Sequence, residues 1–343
     1  MIFYRKILFY QEVFVRKKSG VNIRDIAAAL GLNISTVSRA LNGSFLISRE
    51  TTELVQHKAH EMGYQFQRVK KSIVILLPSS HTDLAWYSIS LINALQTCLC
   101  QTEYCWEFIT EDNIDIIQER SIAGIISLVF LPHVFLKITA KYNIPFVCIN
   151  NTSSPMDNVY SVNSDAENAV GKAFNCLVEY GHKNIAFVSQ NGGSFAEKNR
   201  QAAFVSISKK YGLQNSCFIV PAKVDNCHGI VLDLYKKGVT GIITDGESAG
   251  LKIWNSLNFC KIDIPRQMSL IAWEIPHVSG MVSPAITTVE QDFTLLAEKS
   301  LQLLEARWNN ERTTFDIKVP YQLHSRDSVS IPRELSHGAT VSE

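Results

Sequence analysis

Apolar residues follow two rhythms along this chain, and the change comes near residue 72. Before it, Ile23, Ile26, Ala27 and Leu30 recur at helical spacing. Asn22 stands where a cap belongs, Asp25 follows three residues on where its carboxylate meets the open N–H groups, and Gly31 ends the run. Asn33 is placed to cap a second helix, with Val37, Ala40 and Leu41 facing inward and Ile34, Ser35, Ser38 and Arg39 left to face out. Ser48 is placed to cap a third, Arg49 to Met62, closed by Gly63, whose Leu54, Val55, Ala59 and Met62 are expected to complete a small core. Two short helices joined by a glycine-containing turn predict a helix-turn-helix.

After residue 72 short apolar runs alternate with helical patterns. The runs are Ile73 to Leu77, Trp106 to Thr110, Ala123 to Leu128, Pro145 to Ile149, Ile185 to Ser189, Phe218 to Val220, Gly241 to Thr244 and Ser269 to Trp273. Strands separated by helices predict parallel sheets wound on both faces, with ligands bound where strand ends face a crevice. Two such sheets in succession predict a cleft. The fold class is therefore α/β, an N-terminal three-helix head followed by a two-lobed, doubly wound body.

Length agrees, since 343 residues exceed one typical core. The longest apolar run, Ile122 to Leu131, stops at Pro132 and is about half the ~20 residues a membrane span needs. Basic residues Arg5, Lys6, Arg16, Lys17 and Lys18 interrupt the apolar start, and no small-residue cleavage site follows, so it makes a poor signal peptide. Two readings of residues 1–20 stay open, an amphipathic basic arm or an unstructured extension from an upstream start. The eight cysteines form no C-x-x-C pair, and Cys98, Cys100 and Cys105 lack a histidine at zinc spacing. They read as reduced, structural thiols of a cytoplasmic protein. No cofactor or metal is expected.

The net charge of +1 hides an asymmetry. Through Ser72 there are 12 Lys/Arg against 5 Asp/Glu, +7, which leaves 21 against 27, −6, for the remainder. A basic head on an acidic body suits a polyanion partner. Arg39, Arg49 and Lys58, with the hydroxyls of Ser35, Thr36 and Ser38, are the donors that phosphates and base edges require. A three-helix docking module is the alternative.

Here the sequence resembles the lactose/galactose repressor (LacI/GalR) family. The resemblance rests on Asp25-Ile26-Ala27, Gly31-Leu32-Asn33, Thr36-Val37-Ser38-Arg39, Leu41-Asn42 and the helix from Arg49 to Tyr64. It implies that Ile34, Ser35 and Arg39 read bases in the major groove, and that Thr36, Ser38, Asn42 and Tyr64 grip the backbone or brace the head. In the family a hinge helix follows, pairs with its dimer mate and wedges a leucine into the minor groove. Here only Gln65 to Ser72 separates Tyr64 from the first strand, too few residues for a ~two-turn helix and a joint. Arg68, Lys70 and Lys71 remain to hold phosphates, and Val69 is a smaller wedge. Weaker operator bending is expected from this linker. The alternative function is a ligand sensor with impaired DNA binding.

The resemblance continues to about Ser330 through Val162 to Asp165, Gly181-His182, Arg200 with Phe204, Thr244-Asp245, Ser269 to Glu274, Thr287 to Val289 with Gln291-Asp292-Phe293, and Leu323 with Arg326 and Ser328. It implies a periplasmic-binding-protein-like sensor at 73–330, following a head at 21–64 and a linker at 65–72, with a tail at 331–343. The N-lobe is expected at about 73–163 and 293–318, the C-lobe at about 164–292 and 319–330. Arg200 takes the place of the family's ligand-binding arginine, and Gln291 keeps the family type. Asn150 and Glu274 each replace an aspartate, and Thr244, before Asp245, replaces an asparagine. Trp86, Trp273 and Phe195 are either flat faces for a ring or core. A sugar or sugar phosphate is the expected effector, and the expected assembly is a homodimer on near-palindromic double-stranded operator DNA, away from membranes. Catalysis is not expected: His81, His133, His182, His228 and His277 lie apart, and no G-x-S-x-G elbow or P-loop appears.

Overall fold

The computed structural model describes residues 20–41, 47–64, 72–79, 86–113, 122–129, 144–151, 159–189, 193–221, 226–309, 311 and 313–332. The head comprises α1 (Ile23–Leu30), α2 (Ile34–Leu41) and α3 (Arg49–Glu61). A reciprocal capping box opens α1: Asn22 Oδ1 accepts the Asp25 N–H at 3.3 Å, and Asp25 Oδ2 accepts the Asn22 N–H at 2.8 Å. Gly31, at φ 65°, closes the helix in the left-handed region that a side chain would strain. At the start of α2 Asn33 lends its backbone oxygen to the N–H groups of Thr36 and Val37. Ser48 caps α3 by accepting the Thr51 N–H at 3.2 Å. Ile26, Val37, Ala40, Val55 and Ala59 are fully buried together, and burying each of the larger ones contributes about 1.5–3 kcal/mol. Leu54 departs from expectation. It is 54% exposed, because Val55 and Ala59, four apart, already define the inward row of α3.

The rest of the chain builds two six-stranded sheets. The first holds β1 (Ser72–Leu77), β2 (Cys105–Thr110), β3 (Gly124–Ser127), β4 (Phe146–Ile149), β5 (Val159–Ser164) and β11 (Asp316–Val319) in the order β2-β1-β3-β4-β5-β11, all parallel. The second holds β6 (Ile185–Ser189), β7 (Cys217–Pro221), β8 (Gly241–Thr244), β9 (Ser269–Trp273), β10 (Thr287–Gln291) and β12 (Tyr321–His324) in the order β7-β6-β8-β9-β10-β12. Only β12 runs antiparallel, against β10. Alternation assigns the faces. Ile73 and Ile75 pack with α4 (Trp86–Cys100) and α9 (Phe293–Trp308), whereas Val74 and Leu76 pack with Ile125, Phe146 and Cys148 on the opposite face. In the second sheet Ile185 and Phe187 face α5 (Ala166–Glu179) and α6 (Phe195–Lys210), and Ala186 and Val188 face α7 (Cys227–Lys236) and α8 (Glu247–Phe259). Gly250 lets α8 lie on β9, since a Cβ there would stand 2.6 Å from that of Ala272.

The chain passes between the sheets three times, from β5 to α5, from β10 to α9, and from β11 to β12. Both helices that begin at a crossing are capped by an aspartate: Asp165 accepts the Asn168 N–H at 3.0 Å, and Asp292 accepts the Leu295 N–H at 2.8 Å. The crossings are also tied to each other. Asn168 Oδ1 accepts the Tyr321 N–H at 3.0 Å, and the Asp165 N–H reaches the Val319 carbonyl at 2.8 Å. The lobes are joined by three short, mutually bonded segments, the arrangement from which relative motion of two lobes arises.

Candidate functional site

Two places concentrate unused chemistry. On the head, the burial of Val37, Ala40 and Leu41 turns the opposite side of α2 outward. Ile34 is 50% exposed there, Ser35 and Arg39 are exposed, and Thr36 and Ser38 are half-buried. One helical face thus offers an apolar contact, hydroxyls and a guanidinium, the set that a groove of bases and phosphates can use. Tyr64 is half-buried against the head's core, where it braces α3. Lys58 is partly committed, to Glu61 at 3.1 Å. Asn42, Arg68, Lys70, Lys71, the linker 65–71, residues 1–19 and the tail 333–343 lie outside the described residues, as do the Arg49 side chain, His81 and His133.

The second place is the carboxyl end of the sheet holding β6, β8 and β9, where α/β folds bind ligands. Arg200 enters from the second turn of α6. Its Nε lies 2.5 Å from Asp245 Oδ1 at the end of β8, and its Cζ lies 5.3 Å from the centre of the Trp273 ring at the end of β9. The Asp245 side chain is 1% exposed and that of Arg200 13%. Burial works against the Arg200 charge, but Asp245 and Tyr321 outweigh it and raise its pKa. Burial also pushes the Asp245 carboxyl above its usual range, opposed by Arg200 and reinforced by Glu197. Thr244 Oγ1, Asp245 Oδ2 and Trp273 Nε1 are buried without a well-formed hydrogen bond among the described residues. A buried polar atom without a partner costs about 1–3 kcal/mol, so this cluster is the candidate ligand site.

Several residues of this cluster went unnoticed in the sequence. Glu197, 3% exposed, accepts the Ser189 hydroxyl at 2.5 Å and the Gly193 N–H at 2.6 Å, while Gln201 Nε2 donates to Ser189 Oγ at 2.7 Å. The signal was present: Ser194 and Glu197 form the S-x-x-E pattern of a capping box, and Ser194 Oγ accepts the Glu197 N–H at 3.2 Å. Tyr321, whose ring stands 6.0 Å from that of Trp273, gave no such signal because its strand is four residues long.

Other candidates are placed differently. Gln291 Nε2 donates to the Tyr321 hydroxyl at 2.8 Å and to Ser164 Oγ at 3.2 Å, which places it across the crossings. Asn150 is bonded on both ends, to the Ser164 N–H and the Tyr87 hydroxyl. The Glu274 carboxylate turns to Arg326, 2.8 Å away, and to the Thr288 hydroxyl, so the longer arm that replaces an aspartate is spent within its own lobe. Trp86, 49% exposed, opens α4 in the first lobe and does not join the Trp273 cluster. Phe195 lines a separate cavity of about 340 Å³ with Asn163, Asn199 and Asp316. Cys100 and Cys105 are exposed rather than structural, while Cys148, Cys176 and Cys227 are buried. Among the described residues no group of three potential metal ligands occurs, and no helix is long and apolar enough to cross a membrane.

Comparison with known proteins matches both parts of the chain. Residues 22–67 match the model of bacterial regulatory proteins of the lacI family, and residues 174–329 match the periplasmic binding protein-like domain. The transcriptional regulator pepR1 of Lactobacillus delbrueckii subsp. lactis is 23% identical over 331 residues, covering 91% of this chain and 98% of that protein. The ribose operon repressor of Halalkalibacterium halodurans is 22% identical, covering 89% and 96% respectively. The lac repressor dimer bound to operator and an anti-inducer has the same fold, with a TM-score of 0.66 at 18% identity over 90% of this chain and 99% of its own. A lacI-type head joined to a periplasmic-binding-protein-like body, matched end to end by such regulators, is a DNA-binding transcriptional regulator and not an enzyme, and this chain belongs to the lacI family.

Proposed function

We propose that this regulator is a cytoplasmic homodimeric repressor, released from or held on its operator by a sugar bound against Arg200, Asp245 and Trp273. The observation that carries the reading is the buried Arg200–Asp245–Trp273 cluster with polar atoms left to fill, on the same chain as an exposed Ile34, Ser35 and Arg39 row. Sugar hydroxyls both donate and accept, and an indole face suits the apolar side of a ring. The ribose operon repressor among the relatives is named for a sugar operon, in keeping with a sugar effector. A two-fold dimer presents two α2 faces to the two halves of a near-palindrome. A ligand that binds one arrangement of the lobes better than another shifts the population, and the three crossings carry that shift to the lobe nearest the head.

Fluorescence polarisation on a near-palindromic operator, at two salt concentrations and with and without sugars, tests this. Specific binding with a steep salt slope, altered by a sugar, is the expected result. Binding indifferent to operator sequence would refute the reading of α2.

A further inference from the structure

A second cavity, of about 340 Å³, lies beside the crossings and shares no residue with the Arg200 cluster. Its walls come from both lobes. Asn163 on β5 with Asp316 and Lys318 on β11 form one, and Glu167 in the first turn of α5 with Phe195 at the start of α6 form the other. β11 is an edge strand, and Asp316 and Lys318, two residues apart on it, leave the same face. The register sets Lys318 beside Asn163, whose amide donates to Asp316 Oδ1 at 2.7 Å.

What the lining has already spent separates it into two groups. Asp316 is occupied by the Asn163 amide, and Asp165 accepts the Asn168 N–H as the cap of α5. Among the described residues, by contrast, the side chains of Lys318 and Glu167 make no ion pair or hydrogen bond, and the Phe195 ring meets no other aromatic ring. The unspent charges are therefore one of each sign, beside an apolar wall that Ala202 and Ala203 extend from Phe195. A simple anion would face three carboxylates against one ammonium, and a simple cation would be repelled by Lys318. A sugar answers neither charge. We infer that this cavity binds a free α-amino acid, its carboxylate toward Lys318, its ammonium toward Glu167 and an apolar side chain on Phe195 and the alanines. The volume is at the small end of ligand sites, which run from about 300 to 1,000 Å³. Lys318 and Glu167 are both exposed, so water weakens each charge contact and a dissociation constant on the order of 0.1–1 mM is expected.

The test is isothermal titration of the full chain near neutral pH with L-leucine, L-methionine and L-phenylalanine. Each is run beside its amide, which lacks the carboxylate, and its N-acetyl form, which lacks the ammonium. At least one amino acid is expected to bind, with both blocked forms weaker by about fivefold or more. A blocked form that binds as tightly as its parent overturns the zwitterion, and failure of all three amino acids overturns the site. Lys318→Met and Glu167→Gln locate the binding: each is expected to weaken the amino acid by about twofold to fivefold, with circular dichroism unchanged. Undiminished affinity in both variants places the amino acid elsewhere and overturns the assignment. Sugar titrations run beside these report on the Arg200 cluster, so failure of one reading is told apart from failure of the other.

Discussion

The side-chain oxygen of Asn150 accepts the Ser164 backbone N–H at 2.6 Å, while its amide nitrogen donates to the Tyr87 hydroxyl at 2.9 Å. One residue thus fastens the end of β4 to the end of β5, just before the chain leaves the first lobe, and ties both to α4. It does so at φ 55°, a left-handed position that asparagine tolerates better than most residues.

An aspartate at this position keeps the acceptor and loses the donor. Asn150→Asp is therefore expected to keep the Ser164 bond and to reverse the Tyr87 bond, the phenol hydroxyl donating to the carboxylate, at a cost under about 1 kcal/mol, and Asn150→Ala to lose both bonds, for about 2 kcal/mol with backbone strain added. Urea unfolding of the two variants checks the order. A larger loss in the aspartate than in the alanine would contradict the bond assignment.

Asn150 also illustrates how much of the site was legible. Its place at a strand end followed from the apolar run Pro145 to Ile149, and a candidate role followed from the family resemblance. Its bonds did not, because Ser164 and Tyr87 are remote in sequence and brought close only by the sheet. The same division holds throughout. Asn22, Asp25 and Gly31 act locally, so the capping box and its stop were readable, as were Ile185–Ser189, Gly241–Thr244 and Ser269–Trp273, whose apolar runs match their strands. Val159–Ser164, Asp316–Val319 and Tyr321–His324 mix polar residues into short strands and carry little pattern; they are the segments that join the lobes. Glu274 was legible by its side-chain type, and its partner Arg326, 52 residues away, was not.

Arg200 and Asp245 form a buried pair, and removing one partner strands the other. Arg200→Leu is expected to cost about 3–5 kcal/mol of sensor stability, and the double variant Arg200→Leu/Asp245→Asn to cost less than the single one. Sugar binding should be lost in both. A double variant no more stable than the single would show that the pair is not energetically coupled.

In the head, Ile26 is fully buried among Val37, Ala40 and Val55. Ile26→Ala opens a cavity worth on the order of 2–5 kcal/mol, comparable to what so small a core supplies. Operator binding should disappear while the thermal response of the body to sugar persists. Arg39→Ala, on the exposed face, should leave the head folded and flatten its preference among operator sequences by about 1–3 kcal/mol, with a smaller effect on non-specific binding. Circular dichroism of the head and competition between specific and random DNA separate the two effects.

His182 supplies a pH dependence whose sign follows from its surroundings. The ring is 1% exposed, with Nε2 2.9 Å from the Ser330 carbonyl and Nδ1 2.8 Å from Thr240 Oγ1. A carbonyl can only accept, so Nε2 carries the proton and Nδ1 accepts from the threonine hydroxyl, which satisfies the neutral ring. Burial lowers its pKa below the usual 6.5, and the Ser330 bond opposes this only in part. Below 6.5 the unfolded chain therefore takes up a proton that the folded chain resists. Stability from this group is fully present above 6.5 and is lost as pH falls toward the folded pKa, at up to about 1.4 kcal/mol per pH unit. His182→Asn is less stable at pH 7.5, and its deficit should shrink on acidification to pH 5.5, because it has no proton to gain. Denaturant titrations of both proteins across that range measure the deficit; one that stays constant with pH would mean that the ring titrates alike in folded and unfolded chains.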